Sequence, residues 1–260
     1  MAIISALPAI SRENSVPLEK ADRTSPLRLN VKIYADGADK VTMLEMHGNP
    51  LIAGFTTNPT LMRRSGVTDY KAFAKDIIRQ IPDRPVSFEV FADEFDEMER
   101  QASEIASWGD NVLVKIPITN TRREFSGNLL RRLAQGGVHM NVTALMTLEQ
   151  VRIASESLVD GPSAKVSVFA GRIADTGRDP VPLMAAAVEL LRPYPNLELI
   201  WASPRELLNV FQADAVGCHI ITATPDILKK LELIGKDLSE YSLDTVKMFY
   251  EDARKAGYEL

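Results

Sequence analysis

The sequence predicts an α/β fold, a single closed (β/α)8 barrel of the TIM type. From residue 29 onward, short apolar runs rich in β-branched residues recur eight times, and a segment with helical spacing follows each run. This alternation is typical of a parallel sheet. The 232 residues from 29 to 260, shared among eight units, give 29 per unit, about what a strand, a helix and two short loops require. The predicted strands are residues 29–36, 51–57, 85–91, 111–118, 138–145, 164–171, 197–203 and 217–223.

Helical spacing between these runs supports the assignment. One apolar stripe after the second strand consists of Tyr70, Phe73, Ile77, Ile78 and Ile81. A later helix begins with a capping box, because Thr147 stands three residues before Gln150. Its expected inward residues are Leu148, Val151 and Leu158. After the eighth strand, the amphipathic segment 242–257 predicts an extra C-terminal helix.

An open, doubly wound sheet is the alternative architecture. Such a sheet often carries a G-x-G-x-x-G turn after its first strand or a P-loop, and the sequence contains neither, so nucleotide binding is not expected. Residues 1–28 mix Ser, Pro and both charge signs without a period, and we expect an N-terminal tail or arm there. Residues 29–260 are expected to form one catalytic domain.

Composition excludes several classes of function. With 45% apolar and 25% charged residues the chain is a packed globule, and a net charge of −5 without a basic stripe argues against nucleic-acid binding. Cys218 is the single cysteine, so no internal disulfide can form, which fits a reducing compartment. No apolar run approaches the roughly 18 residues of a membrane span, and the first ten residues fit a signal peptide poorly. We therefore expect a cytoplasmic protein with no membrane partner.

Barrel enzymes place their chemistry at the C-terminal ends of the strands, and these ends are unusually polar here. The polar residues at the strand ends are Asp36, Thr57, Asn58, Glu89, Lys115, Asn141, Thr143, Ser167, Arg172, Ser203 and Arg205. A single polar residue at such a position only marks where a strand meets water. Their coincidence around one predicted rim indicates a site.

Lys115 is the sharpest candidate, because it lies within the apolar run 112–118. Burial disfavours the charged ammonium form, and a neutral amine is a nucleophile that attacks a ketone or aldehyde to form a Schiff base. The alternative is a lysine whose stem packs on apolar neighbours while its head reaches solvent. Asp36 and Glu89, on two other strands, are suitable proton carriers for Schiff-base chemistry. They could instead serve only as ion-pair partners of a buried lysine.

The seventh unit carries a candidate anion site. Ser203 followed by Pro204 predicts a helix start, with Ser203 as the N-cap. Capping does not explain Arg205, whose charge near a helix N-terminus is unfavourable unless an anion binds there. Arg172 could supply a second cation, which predicts a phosphorylated substrate; surface solvation of both arginines is the alternative. Asn58 before Pro59 likewise predicts a capped helix start.

Six segments of the chain resemble the transaldolases, in particular the short single-domain branch that includes the fructose-6-phosphate aldolases. The segments are GFTTNPTLM (54–62), VSFEVF (86–91), NVLVKIPIT (111–119), MNVTALMT (140–147), VFAGRIADTG (168–177) and WASPREL (201–207). The resemblance runs from about residue 30 to residue 256, with the motifs in the family's order.

The resemblance implies a class I mechanism without a metal or an organic cofactor. Lys115 would form the Schiff base with C2 of a ketose phosphate, and Asp36 would take the C4 hydroxyl proton as the C3–C4 bond breaks. Glu89 and Thr143 would hold the water that shuttles protons. The three-carbon unit would be bound by Asn58, Asn141 and Ser167, beside Thr57 and Phe169, and the phosphate by Arg172, Ser203 and Arg205. The resemblance also implies the sugar phosphates of the pentose phosphate pathway as substrates and a homo-oligomer.

Two positions favour transfer of a dihydroxyacetone unit over its release. A close resemblance to the aldolase branch would imply a Gln at position 89 and a Tyr at position 169, whereas this chain has Glu89 and Phe169, as transaldolases do. The first strand ends differently from the family's usual Leu-Asp-Thr-Ala, so Asp39 competes with Asp36 for the match, and Pro204 replaces an aromatic or aliphatic residue. These departures keep open an unusual sugar in a specialised pathway. The sequence is also compatible with a lyase and with a catalytically silent sugar-phosphate-binding barrel.

Overall fold

A computed structural model describes residues 29–260 of the protein. Eight parallel strands pair in sequence order, and β8 pairs back with β1, so the sheet closes into a barrel. This confirms the predicted (β/α)8 architecture over the open sheet. The strands are β1 Lys32–Asp36, β2 Ile52–Thr56, β3 Val86–Glu89, β4 Val112–Pro117, β5 Met140–Leu145, β6 Ala164–Val168, β7 Leu197–Ala202 and β8 Ile220–Ala223.

Helices alternate with the strands, and the described residues contain eleven α-helices. They are α1 Lys40–His47, α2 Pro59–Arg64, α3 Tyr70–Gln80, α4 Phe95–Ala106, α5 Gly127–Gln135, α6 Leu148–Leu158, α7 Ala170–Ala174, α8 Val181–Leu191, α9 Leu208–Ala215, α10 Pro225–Leu228 and α11 Leu238–Ala256. A short 3-10 helix, Lys229–Leu233, follows α10. None of the helices within residues 29–260 combines the length and apolar character that crossing a membrane requires.

The described residues fall into two compact units, 29–232 and 233–260. The first contains all eight strands. The second contains α11, which begins four residues before the predicted helix because the Asp237 carboxylate accepts the backbone N–H groups of Ser239 and Glu240. The predicted tail, residues 1–28, lies outside the described residues, and the predicted domain boundary after it stays a prediction.

Local capping explains why several helices begin where the sequence predicts. Asn58 caps α2, with Pro59 at the first helical position, and Thr147 forms the predicted capping box with Gln150 at α6. The prediction that Leu148 of α6 points inward is wrong. Leu148 is 38% exposed, because it lies at the edge of the buried face that Val151, Ala154 and Leu158 form.

Alternation along the strands separates the barrel interior from the core between strands and helices. Lys32, Tyr34 and Asp36 share one face of β1, since successive strand residues point to opposite faces. A separate buried cluster consists of Tyr34, Ile200, Ala202 and Ile220. Gly54 makes room for the Tyr34 ring, because a Cβ at position 54 would lie 2.5 Å from a ring carbon. The middle of the barrel is therefore filled, and only its ends can hold polar chemistry.

Candidate functional site

Lys115 and Glu89 meet at the C-terminal end of the barrel. They are register partners on β4 and β3, and the Lys115 Nζ lies 3.1 Å from Glu89 Oε2. The same Nζ donates a hydrogen bond of 2.8 Å to the backbone carbonyl of Thr57. Only 5% of Lys115 is exposed, so its head group does not reach out to solvent. The interpretation of Lys115 as a lysine that extends to water is thus wrong, and the amine is held inside the barrel mouth.

Asp36, at the end of β1, belongs to the same electrostatic environment. Burial raises its pKa above the ordinary range, while the charge of Lys115 and a hydrogen bond from Thr56 act in the opposite direction. Thr56 Oγ1 donates to Asp36 Oδ1 at 2.7 Å and lies 2.5 Å from Thr222 Oγ1. Asp36 is therefore a carboxyl group whose proton is held more tightly than in water, beside a buried amine.

Three buried polar side chains, on β6, β5 and β3, are linked by hydrogen bonds beside Lys115. Ser167 donates to Asn141 Oδ1 at 2.7 Å, and Asn141 Nδ2 donates to Ser87 Oγ at 3.1 Å. Asn141 is also the register partner of Lys115. Thr143 lies two residues further along β5, and its buried hydroxyl has no hydrogen-bond partner among residues 29–260. An unpaired buried hydroxyl is costly, so this group is suited to bind a water molecule or a substrate.

The sequence analysis names Thr57, at the end of β2, as a candidate site residue. It misses Thr56 on the same strand and Thr222 on β8. The structure turns the Thr57 hydroxyl to the Ser87 carbonyl at 2.8 Å, and it is Thr56 that meets Asp36. Asn58 uses its Oδ1 to accept the Leu61 N–H as the cap of α2. Strand alternation places Thr56 on the same face as Gly54, which meets the Tyr34 ring, but the sequence alone does not show which face of β2 points inward.

The predicted helix start at Ser203 is wrong. The α9 helix begins at Leu208, and the Asn209 side chain accepts backbone N–H groups from residues 205–206 to hold the turn before it. Ser203 has a φ of +60°, which is uncommon for a residue other than glycine. A Cβ at Gly171 would lie 1.5 Å from the Ser203 carbonyl oxygen, so the start of α7 presses against the end of β7. This long-range contact has no counterpart in the local sequence pattern.

The two arginines lie near this turn. Arg205 Nε donates to Asp175 Oδ1 at 2.9 Å, with a second contact between the guanidinium and the other carboxylate oxygen. The anion that the sequence predicts beside Arg205 is therefore partly supplied by the chain itself. The Arg172 guanidinium lies 5.8 Å from the centre of the Phe169 ring. A cavity of about 240 Å³ is lined by Asp36, Ser203, Pro204, Arg205, Thr222, Thr224, Asp226 and Ile227.

The site thus brings a buried amine, two carboxyl groups and a belt of hydroxyl and amide groups to the C-terminal end of the barrel, with arginines at its rim. Within the described part of the chain, no three His, Cys, Asp or Glu side chains are grouped as a metal site. A buried amine with nearby proton carriers is the equipment of Schiff-base chemistry on a carbonyl compound.

Comparison with known proteins assigns the family. The family model "Transaldolase/Fructose-6-phosphate aldolase" matches residues 33–260, and the chain belongs to this family. A "Probable transaldolase" of Dehalococcoides mccartyi strain 195 is 34% identical over 182 residues, which is 70% of this chain and 81% of that protein. A "Probable transaldolase" of Thermoanaerobacter sp. strain X514 is 31% identical over 231 residues, covering 88% of this chain and 100% of its own length.

The fold is also found among solved structures. A structure from Burkholderia cenocepacia J2315, of a protein named as a candidate phosphonomutase, covers 86% of this chain and 96% of its own with a TM-score of 0.52. The sequence identity is 11%, so the likeness is one of fold alone.

Proposed function

We propose that the protein is a transaldolase that moves a dihydroxyacetone unit from fructose 6-phosphate or sedoheptulose 7-phosphate to an aldose phosphate. The observation that carries the proposal is the placement of Lys115, a buried amine held between the Glu89 carboxylate and the Thr57 carbonyl. The family relationship supports the class of enzyme, and the site geometry supports a Schiff-base route.

The first half-reaction cleaves the donor. The Lys115 amine attacks C2 of the ketose, and the carbinolamine loses water to give the imine. Asp36 then takes the C4 hydroxyl proton as the C3–C4 bond breaks, which releases an aldose phosphate and leaves the enamine on Lys115. A carboxyl group whose pKa burial has raised is suited to this proton transfer, because its carboxylate is a stronger base than that of an aspartate in water.

The second half-reaction reverses these steps on the acceptor. The enamine carbon attacks the aldehyde of a different aldose phosphate, Asp36 returns the proton to the new hydroxyl, and water hydrolyses the imine to free Lys115. Glu89 and Thr143 would hold the water that carries protons during imine formation and hydrolysis. Two observations support this: Glu89 lies 3.1 Å from the amine, and the Thr143 hydroxyl is buried without a hydrogen-bond partner among the described residues.

Substrate binding would divide between the interior and the rim. Asn141 and Ser167, which already share a hydrogen bond, would bind hydroxyl groups of the three-carbon unit, with Asn58, Thr57 and Phe169 close by. Ser203, Arg205 and Arg172 would bind the phosphate. In support, Ser203 and Arg205 line one cavity with Asp36. The phosphate would take over Arg205 from Asp175, and both side chains of that pair are about half exposed, so the exchange costs little.

The decisive test is covalent trapping. We expect that borohydride reduction in the presence of fructose 6-phosphate adds the mass of the reduced three-carbon fragment to a peptide containing Lys115, measured by mass spectrometry. Lys165 provides an internal control, because it is also buried on a barrel strand and paired with a carboxylate, Glu198, but lies near the N-terminal end of β6. Its peptide should gain no mass. A Lys115→Ala variant that is labelled and turns over like the parent would overturn the proposal.

A second assay separates transfer from cleavage. Product is measured from fructose 6-phosphate with and without erythrose 4-phosphate as acceptor. Transfer predicts turnover only with the acceptor present, whereas equal turnover without it would identify a lyase. Absence of both labelling and turnover would overturn both enzyme functions and leave the catalytically silent barrel.

A further inference from the structure

The hydroxyl of Tyr70 lies at the end of β3, where it binds both backbone groups of one residue. Tyr70 is the first residue of α3. Its hydroxyl donates to the Glu89 carbonyl at 2.8 Å and accepts the Glu89 N–H at 2.8 Å. In an extended strand the N–H and C=O of one residue point to the same side, so the Tyr70 hydroxyl occupies the place of a neighbouring strand. From the sequence alone, Tyr70 is only one member of an apolar stripe.

The path of β2 explains why a substitute for a strand is needed there. The nitrogens of Phe55 and Thr57 donate to the carbonyls of Pro85 and Ser87, and continuing this two-residue step would pair the nitrogen of residue 59 with the Glu89 carbonyl. Residue 59 is proline, which has no N–H to donate. The Glu89 carbonyl therefore takes its hydrogen bond from Tyr70.

The Glu89 N–H is the other backbone group that continued pairing of β2 and β3 would use, and its expected partner is occupied by Lys115. A continued parallel ladder would send the Glu89 N–H to the Thr57 carbonyl. That carbonyl instead accepts the Lys115 Nζ at 2.8 Å. By accepting the Glu89 N–H, the Tyr70 hydroxyl removes a competing donor from the Thr57 carbonyl.

We propose that Tyr70 is a positioning residue for the reaction, and that its hydroxyl fixes the end of β3 so that Glu89 and Lys115 keep their mutual geometry. The inference rests on the proposed Schiff-base function. The hydrogen bonds of the Tyr70 hydroxyl go to the Glu89 backbone, not to the amine or the carboxylate of the pair. It acts through the Glu89 backbone, and through the Thr57 carbonyl that it leaves to Lys115.

The surroundings of the Tyr70 ring make a clean test possible. The ring packs edge-on against Phe88 and Phe91, with centroids 6.3 and 5.6 Å away, and lies 6.0 Å from Trp108. Burial raises the pKa of the Tyr70 phenol, so the hydroxyl stays protonated and able to donate. A Tyr70→Phe variant keeps the ring and its packing and loses only the oxygen.

The experiment compares Tyr70→Phe with the parent and with Tyr194→Phe, a tyrosine beside the N-terminal end of β7. We expect kcat for transfer to fall about tenfold in Tyr70→Phe while KM stays within about twofold, because reaction geometry suffers and binding does not. The rate of borohydride trapping at Lys115 should fall by the same factor. Tyr194→Phe should match the parent in both measurements.

The outcomes separate the two proposals. If the parent is trapped at Lys115 but Tyr70→Phe keeps the parent's kcat and trapping rate, with only its Tm lowered, the hydroxyl is merely structural and the inference is wrong. A rise in KM at unchanged kcat would also overturn it. If the parent itself is not trapped, the proposed function fails and the role of Tyr70 fails with it. Circular dichroism of both variants confirms that the fold is kept.

Discussion

Side chains at the barrel mouth shift one another's pKa values, and Asp36 shows this most clearly. The Asp36 carboxyl is buried, which raises its pKa, and the charge of Lys115 and the Thr56 hydrogen bond hold that rise in check. Glu89 acts with burial, because a second negative charge disfavours ionisation of the first. The protonation of Asp36 therefore depends on neighbours from three other elements, and replacing one neighbour should change it measurably.

The pH dependence of the reaction tests this coupling through Thr56. In the proposed mechanism Asp36 accepts the C4 hydroxyl proton as a carboxylate, so activity should be lost as pH falls through the pKa of Asp36. A Thr56→Val variant removes a hydrogen bond that favours the carboxylate, which raises that pKa, and the acidic limb of kcat/KM should move to higher pH. The measurement is the pH profile of the transfer reaction.

A matched control is Thr121→Val, because the Thr121 hydroxyl donates to an exposed aspartate, Asp93, at the same distance of 2.7 Å. This variant should leave the acidic limb in place. An acidic limb that is also unmoved in Thr56→Val would assign that limb to a group other than Asp36.

At the scale of helices and strands, the sequence predicts an element well where its ends are set locally. Asn58 with Pro59, and Thr147 with Gln150, satisfy their own helix termini, and both helices begin where predicted. Ser203 with Pro204 shows the same local pattern, yet α9 begins only at Leu208. The difference lies in a distant part of the chain, because the Gly171 backbone sits against Ser203. No pattern within ten residues of Ser203 contains that information.

The close contact between α7 and β7 predicts that adding one methyl group at position 171 will be destabilising. In Gly171→Ala the new Cβ would fall 1.5 Å from a backbone oxygen, which no side-chain rotation relieves, so the two elements must separate. We expect a loss of about 3 kcal/mol in the free energy of unfolding, at the upper end for overpacking. Because Ser203 and Arg205 follow β7, the KM for sugar phosphates should rise more than kcat falls. Urea unfolding and steady-state kinetics measure the two effects.

Gly136→Ala is the control for the added methyl group. Gly136 caps α5 with a φ of −76°, and its nearest non-neighbouring atom would lie 3.4 Å from a new Cβ. Stability and KM close to the parent values are expected for this variant. If Gly171→Ala behaved in the same way, α7 and β7 would be less tightly coupled than the contact indicates.

At the scale of the whole barrel, the sequence predicts the (β/α)8 architecture, which the structure confirms, and it predicts at which end of the barrel the site lies. Eight strand and helix units fix the closed sheet, and the C-terminal ends of parallel strands must meet at one rim, so Lys115, Glu89 and Asp36 could be placed together without coordinates. Which side chains of a strand point into the barrel was harder to predict, because a shift of one residue along β2 turns Thr57 inward in place of Thr56. The role of Tyr70 could not be found, because it depends on where β2 leaves the sheet.

The opposite end of the barrel has polar residues of a different kind. Glu198 on β7 accepts Lys32 Nζ from β1 at 2.7 Å and also pairs with Lys165 on β6, which is 7% exposed. Burial alone would raise the pKa of Glu198, but the hydrogen bonds from the two lysines lower it below its ordinary value. Residues at this end of a barrel serve stability, since substrates bind at the other end.

We therefore expect Glu198→Gln to lower stability without changing the reaction. Removing the carboxylate leaves the buried Lys165 without its counter-ion and should cost about 2 kcal/mol at pH 7, less than a fully buried pair because 23% of the Glu198 side chain is exposed. A carboxyl group with a lowered folded-state pKa stabilises the fold above its unfolded pKa of about 4.3, and this stabilisation is lost as pH falls through the lower folded value. The difference in free energy of unfolding between variant and parent, measured in urea, should accordingly be full at pH 7 and shrink below about pH 4.

The control is Glu156→Gln, which breaks an exposed pair with Arg152 on α6 and should cost less than about 0.5 kcal/mol at either pH. Equal losses in the two variants, or a pH-independent loss in Glu198→Gln, would contradict a role for this ion pair in holding β1, β6 and β7 together.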